Sequence, residues 1–164
     1  MLNSMNKNLY IVHNNNGDKM NVNLELLMHI YQTADMGVYA TKNLLELLRK
    51  KDNKITHVLE EELKEYEKYT QISETMLKKH DVDPKSSGLM AKMSSDIGMT
   101  IETMKDNSDP AIAAMLIEGL TMGTVEMNIK IDKYKRTNKK EILEIAHNLL
   151  EFQENEIEKL KTFL

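Results

Sequence analysis

An all-α fold follows from three features of this 164-residue chain. Two prolines and six glycines leave long segments without a helix breaker. No run alternates Val, Ile or Thr with polar residues as a half-buried strand does. Apolar residues recur instead at helical spacing in five successive segments, four long and one short. With 41% hydrophobic residues, the chain can form one domain that buries roughly 70% of its unfolded surface.

Composition removes several function classes. A net charge of −4 and a pI near 5.8 lack the basic excess of a duplex-binding protein, so no nucleic-acid partner is expected. The absence of cysteine excludes disulfides, thiolate nucleophiles and cysteine-held zinc or iron–sulfur sites. No stretch reaches the ~18–20 consecutive apolar residues needed to cross a bilayer, and the polar faces carry mixed charge. A cytoplasmic protein with no membrane partner is the expectation. Phosphate loops and His-Glu-x-x-His are missing, and the five histidines are scattered. Thirteen methionines against two phenylalanines and no tryptophan predict a core of flexible thioethers, adaptable enough for a homo-oligomer formed through Met-rich helices.

Residues 1–22 have no helical period and include Asn14, Asn15, Asn16 and Gly17 in succession, which reads as a disordered leader ahead of a single domain over 23–164. Gly17-Asp18-Lys19-Met20 is encodable as GGAGAUAAAAUG, a ribosome-binding sequence followed by a start codon. On that reading Met20 is the natural first residue.

The first helix is expected over about 24–50, capped by Asn23, with Leu27, Ile30, Ala34, Val38, Thr41, Leu45 and Leu48 inward. Asp35 lies beside this face between Tyr31 and Tyr39, where it either takes a hydroxyl hydrogen bond or reaches inward. His29 reads as a histidine at the core's edge. Arg49, Lys50 and Lys51 complement the helix dipole, and Asp52 or Asn53 caps the next helix of a tight antiparallel hairpin.

The second helix sets Ile55, Val58, Leu59, Tyr66, Tyr69 and Met76 on one side, with Glu62 in their midst. A core-facing carboxylate needs a partner, a proton or a metal, because an unpaired buried charge is costly. His80, at its end, reads as a solvent histidine, and Pro84 disfavours helix at the residue before it. A shorter third helix over about 87–105 has Met90, Met93, Ile97, Ile101 and Met104 as its stripe. With no histidine or cysteine interleaved, that stripe reads as core rather than a copper site.

Asp109 and Pro110 restart the chain as cap and first helical residue. The fourth helix, to about residue 134, is apolar nearly all round and is expected to be the most buried, with Gly119 and Gly123 admitting a close neighbour. Glu126 is a second acid at an apolar surface. Lys133, Lys135, Arg136, Lys139 and Lys140 cluster at the following turn and match the helix dipole. The fifth helix opens with an Asn138–Glu141 capping box and sets Gln153 and Glu156 among Ile142, Ala146, Leu149, Ile157, Leu160 and Leu164.

Long helices of roughly 26 residues are ~40 Å each, and the third, at ~28 Å, can return the chain along most of that length. Two antiparallel hairpins joined by a long crossover make a ferritin-like four-helix bundle with an additional shorter helix in the crossover between the second and third long helices. Counting from the ends sets Glu62, Gln153 and Glu156 near one height, with Glu118 and Thr41 at that level. Asp35 and Glu126 fall a turn or more further down.

On these residues the stretch from about 24 to 164 resembles the ferritin-like superfamily, in particular a bacterial branch of short bundles with no named activity. The resemblance implies Glu-x-x-His on the second and last long helices, matched here by Glu62-x-x-Glu65 and Gln153-x-x-Glu156. It implies one acid from each of the other two, for which Asp35 and Glu126 are the nearest matches. Both histidines are thus absent, and an amide stands in for one glutamate. A literal Glu144-x-x-His147 points away from the Ile142 and Leu149 face and reads as a solvated pair.

Two functional readings follow. In the favoured one, the bundle is a structural or interaction protein with no cofactor and a degenerate metal site, where a protonated Glu62 joins Gln153, Glu156, Tyr66 and Tyr69 in a hydrogen-bonded core. In the alternative, Glu62, Glu65, Glu126, Gln153, Glu156 and Asp35 hold iron or manganese in an all-oxygen cluster that reacts with oxygen or peroxide.

Overall fold

A computed structural model of the protein describes residues 24–84 and 88–164. The expected leader, the Asn23 cap and the Met20 start lie outside the described residues, as do the side chains of Met90 and Met93. Among the described residues there are five helices and no strand: α1 (Leu24–Leu48), α2 (Thr56–Lys78), α3 (Gly88–Glu102), α4 (Asp109–Tyr134) and α5 (Lys140–Lys161). The all-α expectation holds.

α1, α2 and α5 bury the faces that their 3.6-residue period selects. α1 contributes Leu27, Ile30, Ala34, Thr41, Leu44 and Leu48, and α2 contributes Val58, Leu59, Glu62, Tyr66, Tyr69 and Leu77. These two pack against each other most extensively, and α4 packs along α5. α1 also meets α5 and α4, and α2 meets α5, so one core joins both pairs. α3 lies on α1, where Gly98 makes room for Tyr39: a β-carbon at Gly98 would stand 2.7 Å from the Tyr39 hydroxyl oxygen.

The turn residues act differently from their expected roles. α2 begins after Ile55 without a side-chain cap. Asn53 instead donates from Nδ2 to the Asn107 carbonyl at 2.9 Å and to Asp109 Oδ1 at 2.7 Å. Asp109 Oδ2 also accepts from the Lys54 backbone N–H at 2.9 Å. Two loops distant in sequence are thereby tied together. With Asp109 so engaged, Ser108 caps α4, its hydroxyl accepting from the Ala111 N–H. α5 starts after Lys139 with no side-chain cap, so the Asn138–Glu141 box does not form. α2 ends through Asp81, held at φ 59°, a left-handed conformation that aspartate tolerates better than most residues. His80 is half-buried, and burial lowers its pKa.

The largest correction concerns α4. Its buried residues, among them Ile112, Leu116, Leu120, Met127 and Ile131, form one stripe toward the other helices. The opposite side is open: Met122 is 63% exposed, Val125 54% and Ile129 61%. α4 is therefore not the most buried helix, because α5 and α1 cover one side and α3 lies on α1. By length and composition α4 is apolar enough to cross a membrane, and only 28% of its most apolar window is buried.

Candidate functional site

The buried polar groups gather where four helices converge. Glu62 on α2 and Gln153 and Glu156 on α5 are 2%, 3% and 1% exposed, at positions where the period demands apolar side chains. α1 and α4 each contribute a glycine. Gly37 of α1 underlies the Tyr66 ring, and Gly123 of α4 faces Gln153, whose Nε2 would lie 3.3 Å from a β-carbon there. Thr41, the α1 residue expected at this height, satisfies its own hydroxyl by donating to the Gly37 carbonyl at 2.7 Å.

Electrostatics separate the two acids. Burial, reinforced by the neighbouring Glu156 carboxylate, pushes the Glu62 pKa up to about 8, against the opposing pull of Lys159 and the Tyr66 hydroxyl. Glu62 therefore keeps its proton at neutral pH. Glu156 is handled otherwise: its Oε1 accepts from Lys159 Nζ at 2.6 Å, one turn along α5, with the lysine half in water. That bond raises the Lys159 pKa. Tyr66 is raised by burial and then by the charge of Glu62, so its phenol stays protonated while interacting with both Glu62 and Gln153. Glu62 Oε2, Gln153 Oε1 and Glu156 Oε2 are buried without a hydrogen-bond partner among the described residues.

Aromatic rings pack beside this cluster, and Glu156 reaches the groove beyond them. Phe152 meets Tyr66 edge-on at 5.2 Å and lies tilted against Tyr69 at 6.1 Å. Outside them runs an open groove of about 620 Å³ between α2 and α5, lined by Lys68, Tyr69, Phe152, Glu156 and Lys159 among others. A second, of about 330 Å³, borders Glu61, Lys64 and Glu65.

No protein-family model, curated protein or solved structure matches this chain.

Of the six residues singled out in the sequence, Glu62, Gln153 and Glu156 come together. Glu65 is half-buried and pairs with Lys68 at 3.3 Å, facing the smaller groove. Asp35 is half-buried on α1, where its charge, after burial, helps push the Tyr31 pKa up to about 12. Glu126 is exposed on α4, close enough to His29 of α1 to influence it. Among the described residues no three His, Asp or Glu side chains are placed to hold a metal ion. The convergent set is two carboxylates and an amide, smaller than the four acids and two histidines of a di-iron bundle. Glu144 and His147 are both exposed, in keeping with a solvated pair.

Sequence reasoning missed Lys159, Gly37, Gly123 and Phe152. The Glu156-x-x-Lys159 spacing carried a signal, since residues three apart on a helix are neighbours. The glycine contacts arise between helices, and nothing local announces them.

Proposed function

We propose that the chain is a non-catalytic structural or interaction protein of the cytoplasm: a ferritin-like four-helix bundle, α1–α2 and α4–α5, with α3 in the crossover and a metal site that has degenerated into a proton-holding polar core. One observation carries this reading. The two buried carboxylates are each neutralised from within the chain, Glu62 by a retained proton and Glu156 by Lys159. A protonated Glu62 can donate through Oε2, and Glu156 Oε2 is an acceptor in need of a donor. Such a core rewards one arrangement of the four helices over others, because each misplaced partner leaves a buried polar group unpaired.

The alternative, a carboxylate-rich iron or manganese protein acting on oxygen or peroxide, has one observation behind it. Glu62 Oε2, Gln153 Oε1 and Glu156 Oε2 are three buried oxygen acceptors at one place. Oxygen donors suit manganese and ferrous iron. Anaerobic incubation with Fe²⁺ or Mn²⁺, desalting and metal analysis separates the two readings, with a Glu62→Ala, Glu156→Ala variant as control. The scaffold retains no stoichiometric metal. About two equivalents in the wild type, lost in the variant, would establish the alternative.

A further inference from the structure

We infer that Glu62, Gln153 and Glu156 form a binding site for one buried water molecule, which donates to Gln153 Oε1 and Glu156 Oε2 and accepts from Glu62 Oε2. The water is the ligand of the polar core in the scaffold reading, on which this inference rests.

The donors and acceptors of this core can be followed one by one. Burial and then the Glu62 charge do most to raise the Tyr66 pKa; of its two hydrogen bonds, that with Gln153 lowers it, as a donor does, and that with Glu62 raises it, as an acceptor does. The Tyr66 hydroxyl therefore accepts from the Gln153 amide and spends its one proton on Glu62. Lys159 Nζ donates to Glu156 Oε1 at 2.6 Å. One oxygen is left on each of the three side chains, Glu62 Oε2, Gln153 Oε1 and Glu156 Oε2, and each is buried without a partner.

Direct contacts do not complete this set. If Glu62 gave its proton to Glu156 Oε2, Gln153 Oε1 would stay unpaired, and if it gave the proton to Gln153 Oε1, Glu156 Oε2 would. A water has the matching complement: two protons for the two acceptors and a lone pair for the Glu62 proton. Buried waters typically make about three such bonds. Charge also selects a neutral ligand, since Glu62 retains its proton and Lys159 offsets Glu156, leaving no net charge for a cation. Glu156 lines both grooves between α2 and α5, so water reaches the site past a single side chain.

A crystal structure of the full untagged chain, at a resolution that shows ordered water, tests this. The expected result is one light-atom peak about 2.5–3.0 Å from each of Glu62 Oε2, Gln153 Oε1 and Glu156 Oε2. Glu62 Oε2 bonded directly to either of the other two oxygens, with no peak between them, overturns the inference and leaves the scaffold reading standing. A peak with anomalous scattering at coordinate-bond distance is a metal, and both fall. In solution, deuterium relaxation dispersion should count one fewer long-lived internal water in the Glu62→Met, Gln153→Met variant, which leaves the water a single partner where at least two are needed. Equal counts in wild type and variant, at equal helicity by circular dichroism, overturn the inference.

Discussion

The ring of Tyr66 lies face-down on Gly37. A β-carbon on that glycine would stand 2.5 Å from Tyr66 Cδ2 and Cε2 and 2.6 Å from Cδ1, and such near-equal distances place it over the ring rather than at its edge. From that position Tyr66 interacts with Glu62, one turn back on α2, and with Gln153 on α5.

Gly37→Ala should therefore destabilise the protein even though alanine is the better helix former by about 1 kcal/mol. Displacing a buried ring in a packed interior costs about 1–3 kcal/mol, and the backbone beneath it offers no slack. Thermal unfolding of the variant should show a lowered midpoint. Combined with Tyr66→Leu, the two losses should fall short of additive, because the smaller side chain leaves room for the methyl.

Lys159→Met removes the ammonium from a carboxylate that is 1% exposed. An unpaired buried charge follows, and a loss of about 1–3 kcal/mol is expected after discounting for the half-exposed lysine. Glu156→Gln in the same chain should recover most of it, as the charge needing a partner is then gone. Urea denaturation of the wild type, the single variant and the double variant measures both effects. Equal stability of all three would show the ion pair to be incidental.

Asn53→Ala cuts the tie between the α1–α2 turn and the start of α4, losing two hydrogen bonds at 2.7 and 2.9 Å. A destabilisation of about 1–2 kcal/mol is expected. Hydrogen exchange should locate it at residues 53–56 and 107–111, and exchange unchanged there would contradict the assigned tether.

Stability should fall as pH rises toward 8 because of Glu62. Its folded pKa, about 8, is raised above the ordinary 4.5, so between these values the folded chain holds a proton that the unfolded chain has released. The stabilisation is complete below the lower value and is lost progressively up to the higher one, by roughly 1 kcal/mol per pH unit. Glu62→Gln removes this dependence. The stability difference between variant and wild type should move in the variant's favour across that window, whereas a constant difference would show that Glu62 titrates alike in both states.

The helices and the inward acids were legible in the sequence because both follow from period: Glu62 stands at an apolar position between Leu59 and Tyr66, and Gln153 and Glu156 stand between Leu149 and Leu160. The exposure of α4 was not, since Met122, Val125 and Ile129 look as apolar as Leu116 and Met127, and only the neighbouring helices decide which side is covered. Asn53 and Asp109 read as caps because these side chains bond their own backbone as readily as a distant one, and the partner is chosen by the tertiary fold. Asp35 and Glu126 fell outside the cluster because heights counted along helices do not fix rotation about their axes.

The most direct test of the central claim is a carboxyl ¹³C NMR titration of the wild type, with the Glu62 resonance assigned by its absence from Glu62→Gln. A midpoint near pH 8 is predicted for Glu62, reflecting a proton retained in the polar core. A midpoint near the ordinary glutamate value of 4.5 would mean that Glu62 carries its charge at neutral pH, and the account of a core neutralised from within would fail.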